Sequence, residues 1–404
     1  MTRAVDVLVV GAGPAGAAAA TTLARAGQSV AVVDKATFPR DKICGDGLTA
    51  GALRQLEALG LDPAAVPSWQ RVDDVVVSPP WGATAAFPLP RGQGSYAVVA
   101  RRAELDAALV EGARKAGADV HEGCALVRAV DHGDAVTATV EGLGEVRARY
   151  AVGADGMWSP LRKCLGVAVP GYRGEWHAFR QYLRGAAAPA RRDLWVWFEP
   201  DLLPGYAWSF PLADGAVNVG FGIQRGGKVA VREMAEIWRT LLRRPVIAEV
   251  LGTDWEPEGP HRAWPIPARV DRIPLTSGRG LFVGDAAAAT DPMTGEGIGQ
   301  ALETGMAAAR AILAAGPGAP EVARARYEAE VTRGLARDNR LAGALVRALQ
   351  HRRGAVAAVR LAGATPWTRR HFGRWLFEDY PRAVLATPHR WHRDLFSSPG
   401  AYRD

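Results

Sequence analysis

Cysteine is scarce: Cys44, Cys124 and Cys164 are the only three in 404 residues. Their odd number, wide spacing and lack of C-x-x-C pairing exclude a disulfide framework and a cysteine-based metal site, and they point to a reducing compartment. Long apolar runs are missing too. No stretch of about 18 apolar residues is free of charge, so no transmembrane helix is expected. The opening run "VDVLVV" is short and leads into a glycine turn rather than a cleavage site, so a buried strand is expected there rather than a secretory signal. Lysine is the third scarcity, with residues 35, 42, 115, 163 and 228 the only ones, so arginine carries nearly all of the net charge of +7.

Much of that positive charge falls after residue 331, in "HRRGAVAAVR", "TPWTRRHFGRW" and "PHRWHRDLF". A basic tail bearing tryptophan suits anionic lipid, an acidic partner or a solvated helical face. Without an RNP-like or helix-turn-helix pattern, nucleic acid is not expected as a partner. At 42.9 kDa and 48% hydrophobic content, the chain has length and apolar material for two or three domains.

"VDVLVVGAGPAGAAAATTLARAGQSVAVVDK" reads as strand, glycine turn, alanine-rich helix and strand, a βαβ unit. Gly11, Gly13 and Gly16 form G-x-G-x-x-G. The first allows the tight turn, the second lets backbone approach a pyrophosphate, and the third lets helix pack on strand. Asp34 ends the next strand, where a carboxylate takes ribose hydroxyls. Residues 47–60 are helical by spacing, closed by Gly60. Residues 72–100 read as an antiparallel excursion, 101–130 as a helix followed by a strand, and 136–156 as a hairpin followed by a strand. From about 172 to 275, period-two segments rich in aromatics predict an antiparallel sheet. "GLFVGDAAAATDPMTGEGIGQALETG" returns to strand, loop and helix, and residues 321–404 are mainly helical.

In that segment, Asp285 stands at a strand end and Gly295, Gly297 and Gly299 open a helix whose amides can face an electron-rich ring. Asp155 and Gly156 mark another strand end. With Arg102 of "RRAELD", these segments resemble the dinucleotide, DG and GD motifs of FAD-dependent oxidoreductases with the para-hydroxybenzoate hydroxylase type of fold, over roughly the first 310 residues. Two details resemble one branch. "FPRDKICGDGLT" is similar to the P-R-x-K-x-C-G segment of the geranylgeranyl reductase family. Pro204, Tyr206, Trp208, Phe210 and Pro211 are similar to its proline-bounded Y-x-W-x-F-P segment.

The resemblance implies an α/β (α+β) fold: a Rossmann-like FAD-binding domain (1–71, 96–171 and 276–320), an antiparallel-sheet substrate domain (72–95 and 172–275) and a helical C-terminal region (321–404). It implies reduction of C=C bonds in a prenyl chain, with FAD as cofactor and NAD(P)H or ferredoxin as reductant. FAD contacts are expected from Gly11, Gly13, Pro14, Ala15, Gly16, Asp34, Lys35, Arg40, Cys44, Gly45, Arg102, Asp155, Gly284, Asp285, Pro292, Gly295, Gly297 and Ile298. Substrate contacts are expected from Gly47, Trp195, Trp197, Tyr206, Trp208, Phe210 and Pro292, with Cys44, Tyr206 and Trp208 in catalytic positions.

Alternatives stay open at this level. The row Tyr206, Trp208, Phe210 shares one strand face and is either a cavity wall or ordinary sheet core. Cys44 either assists proton delivery or packs in a turn, and Lys42 either lowers its thiol pKa or faces solvent. The same fold serves monooxygenases of aromatic substrates and prenyl-binding carriers that use no flavin. A flavin-dependent halogenase would need a lysine between 43 and 114, where there is none. The expected location is cytoplasmic, with the C-terminal segment "WTRRHFGRWLFEDYPRAVL" either an interfacial helix at the inner membrane face or a cap over the substrate domain.

Overall fold

The computed structural model describes residues 3–80, 83–384, 387–391, 393 and 395–403; His392 and Asp394 of the basic tail lie outside the described residues. The first strand, Arg3–Val10, pairs in parallel with Val30–Asp34 on one side and Gly144–Gly153 on the other. Val30–Asp34 pairs onward with Asp119–Glu122, and Gly144–Gly153 with Gly280–Phe282. The middle strands are buried runs of valine, leucine and alanine, because helices cover both faces of a parallel sheet. One expectation changes in detail. The second strand of the hairpin read in 136–156 and the following parallel strand are one continuous element, Gly144–Gly153, antiparallel to Val136–Val140 at its start and parallel to Arg3–Val10 along its length.

The helix Pro14–Arg25 starts on Gly13 with proline in its first turn, and packs against Ile298–Ala315. Gly16 is there for contact: a Cβ would stand 1.8 Å from the Gly11 carbonyl oxygen, so no other residue lets the helix descend onto the turn.

The second sheet orders Glu256–Ile266, Trp176–Arg184, Val217–Gln224, Ala207–Pro211, Leu194–Trp197, Asp74–Ser78 and Ala85–Pro88. It is mixed, not purely antiparallel, because Leu194–Trp197 runs parallel to Asp74–Ser78. That pairing carries the 72–95 excursion into this sheet. Its outer face is covered by Met234–Leu241 and Pro245–Leu251 around Trp197, Phe221 and Trp238. A three-stranded sheet of Gly47–Thr49, Ala97–Val99 and Gln70–Arg71 joins the two halves.

Helices Pro320–Arg333, Leu335–Leu349, Arg352–Gly363 and Pro366–Leu376 follow, and the described residues after 376 are irregular apart from one short turn of helix. The last two helices pack on Ala85–Pro88, with Phe372 4.9 Å from Phe87. Among the described residues no helix is long and apolar enough to cross a membrane.

Candidate active site

A cavity of about 960 Å3 opens where the parallel strands end, between the first sheet, the second sheet and the C-terminal helices. All the expected cofactor and substrate residues line it except Gly16, Trp195 and Trp197.

At one end, Gly13 exposes the start of the first helix to open space; a Cβ there would meet only Arg40 Nη2, at 3.5 Å. Arg40 Nη1 lies 3.1 Å from Asp106 but makes no hydrogen bond although buried. Asp106 also holds Arg102 through two 2.8 Å bonds, so Arg102 is a fixed, buried cation rather than a free arm. Asp34 accepts from the Ala12 and Ala36 amides at 2.7 and 2.8 Å, which locks the strand end beside the glycine turn. Lys35 is exposed at the rim. Burial pushes Asp155 up to about 6; its Oδ2 accepts from the Leu161 amide at 2.8 Å and its Oδ1 has no partner.

In the middle, Asp285 faces Lys42 at 3.8 Å, and the Lys42 ammonium lies 4.1 Å from the Trp264 ring centre. Burial lowers the Lys42 pKa, and Asp285 is the main charge that opposes the shift, ahead of the Cys44 thiol. The loop Asp291–Gly297 is held by Asp291, whose Oδ1 accepts from the Met293 and Thr294 amides at 2.7 and 2.9 Å and whose Oδ2 accepts from Arg382 Nε at 2.9 Å. Glu296, between two glycines, accepts from the Ile298 and Gly299 amides, both at 2.9 Å. These helix-start amides were expected to be free for a ring. The Glu296 carboxyl takes two of them instead, as an acidic cap at a helix N-terminus does.

At the far end, Tyr206, Trp208 and Phe210 form one row with 6.1 Å between neighbouring ring centres. Phe210 covers the Cys44 turn so closely that a Cβ on Gly45 would stand 3.2 Å from its ring. A buried polar net ties that turn to the second sheet. Trp208 Nε1 donates to Asn218 at 3.1 Å, Asn218 donates to the Cys44 carbonyl at 2.9 Å and to Asp46 at 2.8 Å, and Tyr182 donates to Asp46 at 2.6 Å. Burial pushes Asp46 up to about 6, against the pull of Arg180. Burial also raises the Cys44 thiol, with Arg102 the main opposing charge. Tyr206 donates its hydroxyl to the Thr294 carbonyl, and burial keeps that phenol protonated.

Trp195 and Trp197 do not reach the cavity, which corrects the expectation for both. Successive strand residues face opposite sides. Leu194, Val196 and Phe198 take the cavity side, while Trp195 and Trp197 stack at 5.7 Å on the side packed by helices. Sequence reasoning also missed the second wall, Val359, Phe372 and Trp375 from the C-terminal helices, and the net around Asn218. A lone asparagine in the apolar strand "AVNVGFG" was the available signal for that net.

The open glycine turn, Arg40 Nη1 ion-paired to Asp106 but without a hydrogen bond, the unpartnered Asp155 Oδ1, and strand-end carboxylates at 34 and 285 fit a flavin dinucleotide. Fold and site together define an FAD-dependent oxidoreductase. The FAD binding domain family matches residues 4–334. Menaquinone reductase of Mycobacterium tuberculosis is 36% identical over 335 residues, 75% of each chain. Digeranylgeranylglycerophospholipid reductase 1 of Methanopyrus kandleri is 32% identical over 313 residues, 74% of this chain and 78% of the relative. A geranylgeranyl bacteriochlorophyll reductase-like structure from Thermoplasma acidophilum superposes with a TM-score of 0.74 at 21% identity, covering 98% of both chains, and shares the fold. The chain belongs to the geranylgeranyl reductase family of FAD-dependent oxidoreductases.

Proposed function

We propose that the protein saturates C=C bonds in the isoprenyl chain of a quinone or related lipid. The observation that carries this reading is the apolar arm of the cavity lining, where Val75, Val77, Val196, Phe198, Val359 and Phe372 belong to one hydrophobic cluster with Phe210. Such a wall binds a long hydrocarbon by apolar burial and offers no polar group to orient a small aromatic acid. The relatives named menaquinone reductase and digeranylgeranylglycerophospholipid reductase support it.

Bound and reduced, FAD supplies hydride. The protein's own groups do the rest. Arg40, the glycine turn, Asp34 and Asp285 hold the dinucleotide; the Tyr206–Trp208–Phe210 row presents the chain and excludes water. Cys44 and Tyr206 are proton-holding groups in the wall, kept neutral by burial. The cap over the arm exposes Leu361 and Trp367, at 72% and 68%, and these two side chains provide peripheral contact with the membrane that holds such substrates.

The test is anaerobic incubation of the dithionite-reduced holoprotein with menaquinone and with geranylgeranylated lipid, followed by mass spectrometry. A gain of about 2 mass units per bond is expected. A gain of about 16 with oxygen present, and none without it, would replace this reading with a hydroxylase.

A further inference from the structure

Beside the main cavity lies a second chamber of about 170 Å3, lined by Gln300, Glu303, Asp338, Glu378, Asp379 and Arg382 among others. The two spaces meet at one hydrogen-bonded wall. Thr49 lines the main cavity, and its hydroxyl donates to Glu378 Oε2 at 2.9 Å; Gln300 donates to Glu378 Oε1 at 2.7 Å. Gln300 is 5% exposed, and its Oε1 has no partner. A buried acceptor facing a polar space of this size calls for water, and the space holds about five molecules at about 30 Å3 each.

Three carboxyl groups flank this wall, and Glu378 raises the pKa of both of the others by its charge. Glu303 is in the chamber, Glu378 is at the wall, and Glu296 is in the main cavity with one oxygen on the Ile298 and Gly299 amides. Glu303 is faced by Arg390, Asp338, Glu378 and Glu330; Glu378 by Arg382 and Asp291 besides Glu303 and Glu296; Glu296 by Glu378 and Asp291, with Tyr206 and Cys44 near it. Burial is the main cause that pushes Glu296 up to about 8 and Glu378 and Glu303 up to about 7, so each can hold and release a proton near neutrality.

We propose that Glu303, Glu378 and Glu296, with Thr49 at the wall, carry protons from chamber water to the reduction cavity. The proposal rests on the reductase reading. For each bond reduced, bound and reduced FAD would supply the hydride for one C–H bond. The Glu296 O–H bond breaks to form the other, and the carboxylate left behind is reprotonated from Glu378, then Glu303, then water.

The test uses holoprotein variants Glu378→Gln, Glu303→Gln and Glu296→Gln, with Thr49→Val against Thr49→Ser. Infrared titration of the wild type is expected to show protonated-carboxyl bands near neutral pH that shift in D2O, one lost in each Gln variant. Single-turnover oxidation of the reduced protein by prenyl substrate should slow at least tenfold in Glu378→Gln, lose its pH dependence near neutrality and recover partly with formate. Thr49→Ser should match the wild type and Thr49→Val should not. Wild-type rates and pH profiles in all the variants overturn the path while leaving the reductase standing. A wild type that reduces no prenyl chain overturns the reductase reading instead; the infrared titration then decides the path alone, and absent bands overturn it.

Discussion

At Cys44, two influences oppose each other. Burial disfavours the thiolate, the Arg102 guanidinium favours it, and burial is the larger. The thiol is therefore a retained proton rather than a nucleophile at neutral pH. In a variant with Cys124 and Cys164 replaced by serine, the iodoacetamide rate of Cys44 should rise with pH along a curve centred above the ordinary value for a free cysteine. A midpoint below that value would refute this. The sequence left the thiol undecided because the charge that matters, Arg102, lies far along the chain at the start of the helix Arg102–Lys115, and neighbouring Lys42 spends its own on Asp285 and Trp264. Asp46 makes a second case. Raised from 3.8 to about 6 in the fold, it binds more protons folded than unfolded between those values. Its contribution to stability is thus full below pH 3.8 and is lost as pH rises through 6, a fall on the order of 3 kcal/mol. Asp46→Asn should flatten the fall in unfolding free energy across that window in urea titrations, while Asp155, raised likewise, still contributes its share. Parallel curves for the variant and the wild type would show that Asp46 is not the source.

At the scale of elements, the strand Leu194–Trp197 shows what a pattern can and cannot carry. Both of its faces are apolar, one toward helices and one toward the cavity, so period two named the strand but could not choose its inner face. The aromatic row at 206–210 was legible because its three large rings share one parity. Trp197 is 1% exposed in the core behind the sheet. Trp197→Ala should cost about 3–5 kcal/mol in unfolding experiments. Substrate affinity of the protein that remains folded should be unchanged. Val196→Trp should do the reverse, leaving the fold intact and weakening long-chain substrate. A weakened substrate affinity in Trp197→Ala would put that face back in the cavity.

For the whole molecule, the helical C-terminal region decides whether the cavity is closed. The alternation of bulky groups and arginines in 367–385 was compatible with an interfacial helix or a cap, because sequence does not say which arginines find partners. Arg374 and Arg382 are buried, paired with Asp379 and Asp291, so those two do not form a polar face toward lipid. Removing residues 365–404 would therefore strip Asp291 of its partner, a loss of about 3–5 kcal/mol, and open the cavity; it cannot isolate membrane contact. Leu361 and Trp367 can, since both are exposed and neither lines the cavity. Taking two large apolar groups from a membrane surface removes on the order of 3 kcal/mol. Leu361→Ser with Trp367→Ser should lower partitioning onto anionic phospholipid vesicles more than tenfold, with melting temperature and flavin content unchanged. Equal partitioning of the variant and the wild type would mean that this face of the cap does not meet the membrane.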